Sequence, residues 1–372
     1  MFSPPAGATD PLKRLKALFV LDEPAFDLAY GPEEQQRIAE IVDLAAPPMT
    51  REVLKNHLDT LRDVEILMSG WDAPLMDDAM LHAAPQLKAV FYAAGAVSGW
   101  MTQGVWDRGI IVCSAYGANA IPVAEYTLAT TLFSLKHGWA LVRRTRDERN
   151  NVAPSNGAPG CHGSTVGIVS LGVSGRAFRN LLRPFDLRVL AYDPYLTESE
   201  EALLDVQSVS LVDLFSRSDV ISLNAPLLTE TAGMITGEHL AAMKPGATFI
   251  NTARGRIVRQ DEMIEVARSR PDLQFVLDVT EPEPLPADSP LFTLENVILT
   301  PHIAGSIGPE CRRMGRYMVE ELRRYVAGEP LQWVVTPELA AISSHRPLHG
   351  KLSVTVPARL RSAGRHVVPV AR

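Results

Sequence analysis

The sequence predicts an α/β protein made of two doubly wound parallel sheets. Short apolar runs alternate with helical stretches in both halves of the chain, and the segment NNVAPSNGAPGCHGS, rich in Pro, Gly, Asn and Ser, stands between the two series as a hinge or junction. No internal repeat or low-complexity block relates one half to the other, so the two sheets are separate domains rather than copies. A length of 372 residues suffices for two to three domains, and 46% hydrophobic with 21% charged residues excludes collagen-like, disordered and membrane-embedded classes. Lys and Arg total 36 against 43 Asp and Glu, a net charge of -7, so no basic field is present to hold a nucleic-acid backbone. The three cysteines, Cys113, Cys161 and Cys311, fit neither a zinc site nor a disulfide framework, and point to a reducing compartment with the cytoplasm as default. The first apolar stretch is interrupted by Lys16 and Asp22, too soon for a signal peptide or a membrane span.

In chain order, LKALFVL, VEILMSG and LKAVFYAAGA read as strands, with PEEQQRIAEIVDL as a helix between the first two. One long helix is expected from Ile121 to Arg144. From Thr165 a second series supplies six strand candidates: TVGIVSLG, RVLAYDP, DVISLNAP, ATFINTA, QFVLDVT and VILTPH, alternating with helical stretches such as GRAFRNLL and RQDEMIEVARS. The amphipathic stretch ECRRMGRYMVEELRRYVAG is a final helix, followed by a tail that from His345 carries six Lys or Arg and no acid and reads as a solvated end.

TVGIVSLGVSGRAF places Ser170, Gly172 and Gly175 at the three small-residue positions of a G-x-G-x-x-G turn between an apolar strand and a helix. Such a turn lets backbone amides approach a pyrophosphate at the positive end of the helix. Ser170 carries a Cβ where the first glycine would stand, so some strain is expected there. Asp193, at the end of the next strand, suits the adenosine ribose hydroxyls and repels a 2′-phosphate. No Arg or Lys follows among Pro194 to Thr197, so NAD is favoured over NADP.

Arg254, Glu283 and His302 each follow a later strand at its carboxyl end, so the sheet brings them to one rim. Hydride exchange between nicotinamide and a carbonyl carbon needs a group that exchanges a proton with the oxygen near neutral pH, which suits His302. Glu283 is placed to fix its tautomer, and Arg254 to clamp a substrate carboxylate and polarise the neighbouring carbonyl.

With these residues in view the chain resembles the D-isomer-specific 2-hydroxyacid dehydrogenase family over most of Leu15 to Val335. The motifs are GANAIPVAEYTLA, TVGIVSLGVSGRAF with AYDPY, SDVISLNAPLLTETAGMI, MKPGATFINTARGRIV, LDVTEPEPLPADSPLF and NVILTPHIAGSI. The resemblance implies a Rossmann NAD-binding domain (118–307) inserted into a discontinuous, flavodoxin-like substrate domain (12–117 and 308–336), with 337–372 as a tail, the active site in the cleft between the domains, and a homodimer built on the cofactor domains. It implies the same roles for Arg254, Glu283 and His302. It further implies that Asp278 binds the nicotinamide carboxamide, that Ala94 and Gly95 offer amides to the substrate carboxylate with Asn119 near it, and that Val173, Ser174, Ala225, Pro226, Thr252, Ala253 and Gly305 touch the cofactor. Ser170, Ser174 and Val97 depart from the family's usual residues.

The expectation is an enzyme, with no metal, that interconverts a 2-oxo acid and a D-2-hydroxy acid with NAD. The alternatives are a corepressor-like sensor of NAD(H) and a phosphite-type dehydrogenase of the same fold. Formate is disfavoured, because relatives that oxidise it carry Gln in the position of Glu283.

Overall fold

The computed structural model describes residues 14–150 and 157–341. The basic tail from His345 lies outside the described residues. The chain forms two compact units, one from residues 14–115 and 312–341, the other from Tyr116–Cys311, so the second is inserted into the first along the sequence.

The first unit holds a parallel sheet of β1 (Lys16–Val20), β2 (Asp43–Leu44), β3 (Ile66–Ser69), β4 (Ala89–Tyr92) and β5 (Ile111–Ser114), in the order β2-β1-β3-β4-β5. This is the flavodoxin-like order. Every residue of β3 and β4 is buried, which is why both read as unbroken apolar runs rather than alternating ones. The helix Pro32–Ile41 starts as its sequence dictates, with Pro at the first position and Glu33 and Glu34 near its positive end.

The helix Cys311–Ala327 belongs to this unit from Arg312 onward, and the chain after it reaches the sheet edge. There Ser114 N donates to Trp333 O (3.0 Å) and Val335 N to Val112 O (2.8 Å). The buried Glu321 carboxylate holds that return by accepting the amides of Gln332 (2.9 Å) and Trp333 (3.0 Å). Burial pushes the Glu321 carboxyl above its ordinary range, with those amides acting in the opposite sense.

The second unit holds a seven-stranded parallel sheet: β6 (Ser164–Val169), β7 (Leu187–Tyr192), β8 (Gln207–Ser208), β9 (Val220–Leu223), β10 (Thr248–Asn251), β11 (Gln274–Leu277) and β12 (Val297–Leu299). The order β12-β11-β10-β9-β6-β7-β8 is the Rossmann arrangement extended by one strand, with its switch point between β6 and β9. The six strands expected from the sequence are joined by β8, whose two exposed residues are too few to carry a pattern. The helix Val173–Leu182 buries Gly175, Phe178, Arg179 and Leu182, one face at helical spacing.

The single helix expected over 121–144 is two helices, Tyr116–Ser134 and Gly138–Glu148. The chain breaks where Leu135 is driven fully into the core beside Val220, Ile250 and Val276. His137 turns left-handed at φ 51°, and the Phe133 ring lies so close to Gly138 that a Cβ there would meet it at 2.5 Å. Hydrophobic periodicity alone does not register such a turn. No helix among the described residues is long and apolar enough to cross a membrane.

Candidate active site

In the second unit, the loops that follow β6, β9, β10, β11 and β12 all leave the carboxyl edge of one parallel sheet, the edge where open α/β sheets bind ligands. At the first of them, Gly172 caps the helix Val173–Leu182 without any side-chain hydrogen bond, so side chains do not cover its first amides. Val173 and Ser174 form its first turn. A Cβ on Gly175 would sit 2.1 Å from Ser170 O, so only glycine lets the helix pack this tightly against the loop. Ser170 adopts φ 73°, the strain expected of a non-glycine residue in this place.

Asp193 directly follows β7 and faces this loop. Its Oδ2 accepts Leu171 N (2.7 Å) and Ser170 Oγ (3.4 Å), and its Oδ1 accepts Tyr195 N (2.9 Å). Nearby Arg176 is committed to Leu171 O (2.7 Å) and Glu200 (2.9 Å). Beyond β9, Asn224 Oδ1 is buried without a partner, while Ala225 is buried and Pro226 O accepts Thr231 Oγ1 (2.6 Å). A glycine cradle, open helix amides, a carboxylate at the end of the second strand and an orphaned buried oxygen fit a dinucleotide.

His302 and Glu283, 19 residues apart, meet directly, with Nδ1 and Oε1 2.6 Å apart. Both are partly exposed, so the other ring nitrogen remains available for exchange with a ligand. Arg254 follows β10 and is half-buried, its Nη1 donating to Ala253 O at 2.6 Å. Desolvation pulls its guanidinium below its ordinary pKa and the nearby Glu283 carboxylate opposes that; an arginine nonetheless remains a cation near neutral pH. Thr252 is buried beside Thr127, their hydroxyl oxygens 3.4 Å apart.

Asp278 has a task that its place in the sequence does not reveal. Its buried carboxylate accepts Thr300 Oγ1 (2.7 Å) and Ile303 N (2.8 Å) on Oδ1 and Ala304 N (2.9 Å) on Oδ2. Its carbonyl accepts His302 N at 3.0 Å. Asp278 therefore builds the loop in which His302 stands at φ 55°, a conformation that an L-residue keeps only when its surroundings impose it. Tyr126 extends the network through its hydroxyl, 2.9 Å from Thr300 Oγ1 and 174 residues away in sequence, a separation that left no local signal.

Asn119 braces the same loop, its Oδ1 accepting Ser306 N at 2.8 Å; a Cβ on Gly305 would lie 3.2 Å from that oxygen. Ala94 and Gly95 lie in the first unit, after β4. Ser114 Oγ donates to both of their carbonyls, and among the described residues no protein acceptor takes their amides. Val97 beside them is fully buried. A surface hollow of about 610 Å³ in the second unit is lined by Thr165, Arg188, Arg217 and Lys244, among others. It opens by the amino-terminal ends of β6 and β7 and contains none of the residues above.

Residues 128–304 match the family model described as D-isomer specific 2-hydroxyacid dehydrogenase, NAD binding domain. The chain is 34% identical over 259 residues to D-3-phosphoglycerate dehydrogenase of Mycobacterium leprae, covering 69% of this chain but only 48% of that protein, so it spans about half the length of such relatives. It is 31% identical over 300 residues to a glyoxylate reductase of Korarchaeum cryptofilum, covering 80% of this chain and 89% of the relative. Its fold is similar to that of Rhodotorula graminis D-mandelate dehydrogenase in the apo form, with TM-score 0.74, 24% identity, and coverage of 87% of this chain and 98% of the other. Extended identity to a relative matched over nearly its whole length, together with a matching NAD-binding domain, means that this chain belongs to the D-isomer specific 2-hydroxyacid dehydrogenase family.

Proposed function

We propose that the chain is an NAD-dependent oxidoreductase that interconverts a 2-oxo acid and a D-2-hydroxy acid. The observation that carries this reading is the 2.6 Å His302–Glu283 contact at the sheet edge that also bears the dinucleotide loop. NAD(H) bound at that loop supplies or accepts the hydride.

In the reductive direction, protonated His302 gives the proton on Nε2 to the oxygen that becomes the alcohol, and in the oxidative direction it takes that proton back. Glu283, on Nδ1, fixes the ring's orientation and balances the imidazolium charge. Arg254 holds the substrate carboxylate with a planar, permanently charged fork and polarises the adjacent carbonyl. The unclaimed amides of Ala94 and Gly95 are suited to an anionic oxygen, and Asn119 supports the loop of His302. On the cofactor side the proposed contacts are Gly172, Val173, Ser174, Gly175, Asp193, Ala225, Pro226, Thr252, Ala253, Asp278 and Gly305. Asp278 already gives both oxygens to the His302 loop; Oδ1 takes Thr300 Oγ1 and Ile303 N, whereas Oδ2 takes only Ala304 N and keeps a lone pair for a carboxamide.

The same reading assigns 118–307 to NAD binding and 12–117 with 308–336 to the substrate domain, in a cytoplasmic homodimer. Cys113 and Cys161, which form no disulfide, support a reducing compartment.

The test is NADH consumption against a panel of 2-oxo acids that includes glyoxylate, with NAD reduction by D-3-phosphoglycerate as the reverse assay. At least one acid is expected to turn over at about 1 s⁻¹ or faster. NADH binding without turnover across the panel would replace the enzyme by a cofactor-sensing binding protein.

A further inference from the structure

Ser170 is the one residue of the phosphate loop whose backbone is strained, and its side chain offers a reason for the strain. At φ 73° a glycine fits without steric cost, whereas an L-residue brings its Cβ against its own carbonyl. The backbone here is fixed from outside, since Ser170 N donates to Tyr192 O at 2.8 Å. That conformation delivers the hydroxyl to Asp193 Oδ2, 3.4 Å away, an oxygen that also accepts Leu171 N. The same hydroxyl lies 3.9 Å from the point that a Cβ on Gly172 would occupy, so it is near both the Asp193 carboxylate and the glycine cradle.

We propose that Ser170 is a positioning residue for cofactor selection: its hydroxyl holds the Asp193 carboxylate turned toward the loop, where it receives the adenosine ribose hydroxyls and rejects a 2′-phosphate. The inference rests on the dinucleotide reading of this loop. A hydrogen bond to a charged acceptor restricts the carboxylate more than a neutral one does. The nearest cation on the following helix, Arg176, does not offset the repulsion, because Leu171 O and Glu200 occupy it. Without the hydroxyl, Leu171 N and Tyr195 N remain on the two carboxylate oxygens, but Oδ2 loses its one side-chain donor and is held less closely against the loop. Ribose hydrogen bonds then weaken, and the charge opposing a 2′-phosphate is less well fixed.

Ser170→Gly and Ser170→Ala separate this role from a merely structural one, since the first removes both strain and hydroxyl and the second removes only the hydroxyl. Dissociation constants for NADH and NADPH are measured by fluorescence titration of the full chain, alongside melting temperatures without cofactor. Both variants are expected to bind NADH about three- to tenfold more weakly, the worth of one hydrogen bond, and to show a smaller NADPH-to-NADH ratio of dissociation constants. Ser170→Gly alone is expected to melt higher, by about 1–3 °C, as strain is released. Greater stability together with weaker binding is a combination that a structural role does not produce. NADH affinity within about twofold of the parent in both variants, or an unchanged cofactor ratio, overturns the proposal while leaving the enzymatic reading intact. Failure of the parent chain to bind NADH overturns both.

Discussion

Replacing His302 with Ala is expected to lower turnover by about 10²- to 10⁴-fold, the usual loss when a general acid is removed, with NADH affinity nearly unchanged. The separation of the two effects follows from the architecture. The loop carrying His302 is held by the Asp278 carboxylate through Ile303 N, Ala304 N and Thr300 Oγ1, and by the Asp278 carbonyl through His302 N. None of these bonds uses the imidazole. The ring's direct partner is Glu283, which lies on a different loop from the phosphate cradle. Steady-state kinetics in both directions, with NADH titrated by fluorescence, checks both halves of the expectation. Unchanged turnover would remove His302 from the proposed chemistry.

The largest structural effect is expected at Asp278. Its carboxylate is 2% exposed and accepts two amides and a hydroxyl. Asp278→Ala leaves the buried Ala304 N and the part-buried Ile303 N and Thr300 Oγ1 without their acceptor, which should cost the second unit about 2–4 kcal/mol. The loop would also lose what holds His302 at φ 55°, so turnover should fall along with stability. Asp278→Asn is expected to be milder, because one oxygen still accepts from Thr300 and Ile303 while the new amide faces Ala304 N–H with a donor against a donor. Urea unfolding followed by fluorescence, paired with kinetics, orders the three proteins as parent, Asn, Ala. An Ala variant as stable and as active as the parent would show that the network is dispensable.

Much of the fold was legible because buried parallel strands leave continuous apolar runs, and those runs locate β1, β3, β4 and most of the second sheet. The four-residue β5 and the two-residue strands β2 and β8 escaped, β2 because Asp43 and Leu44 read as the end of the preceding helix and β8 because no periodicity can be read from two residues. The helix break near Leu135 escaped for another reason. It depends on a tertiary contact of Leu135 with three strands and on a ring packed over Gly138, and neither is encoded in helical spacing.

At the site, strand ends alone were enough to nominate Arg254, Glu283 and His302, and the structure brings the last two into contact. The bonds supporting them were not legible. Thr300 is near His302 in sequence, but its ties to Asp278 and Tyr126 bridge 22 and 174 residues. The strain at Ser170 was foreseeable from a non-glycine residue in a glycine position, whereas its contact with Asp193 depended on where β7 ends relative to β6.

Direct hydride delivery to a 2-oxo acid is the central step, and NADH carrying deuterium at the transferred C4 position tests it most directly. After one turnover with an accepted 2-oxo acid, the deuterium should be bonded to C2 of a D-2-hydroxy acid and the hydroxyl proton should come from solvent. NADH oxidised without label in the acid, or label recovered in the L isomer, would contradict it.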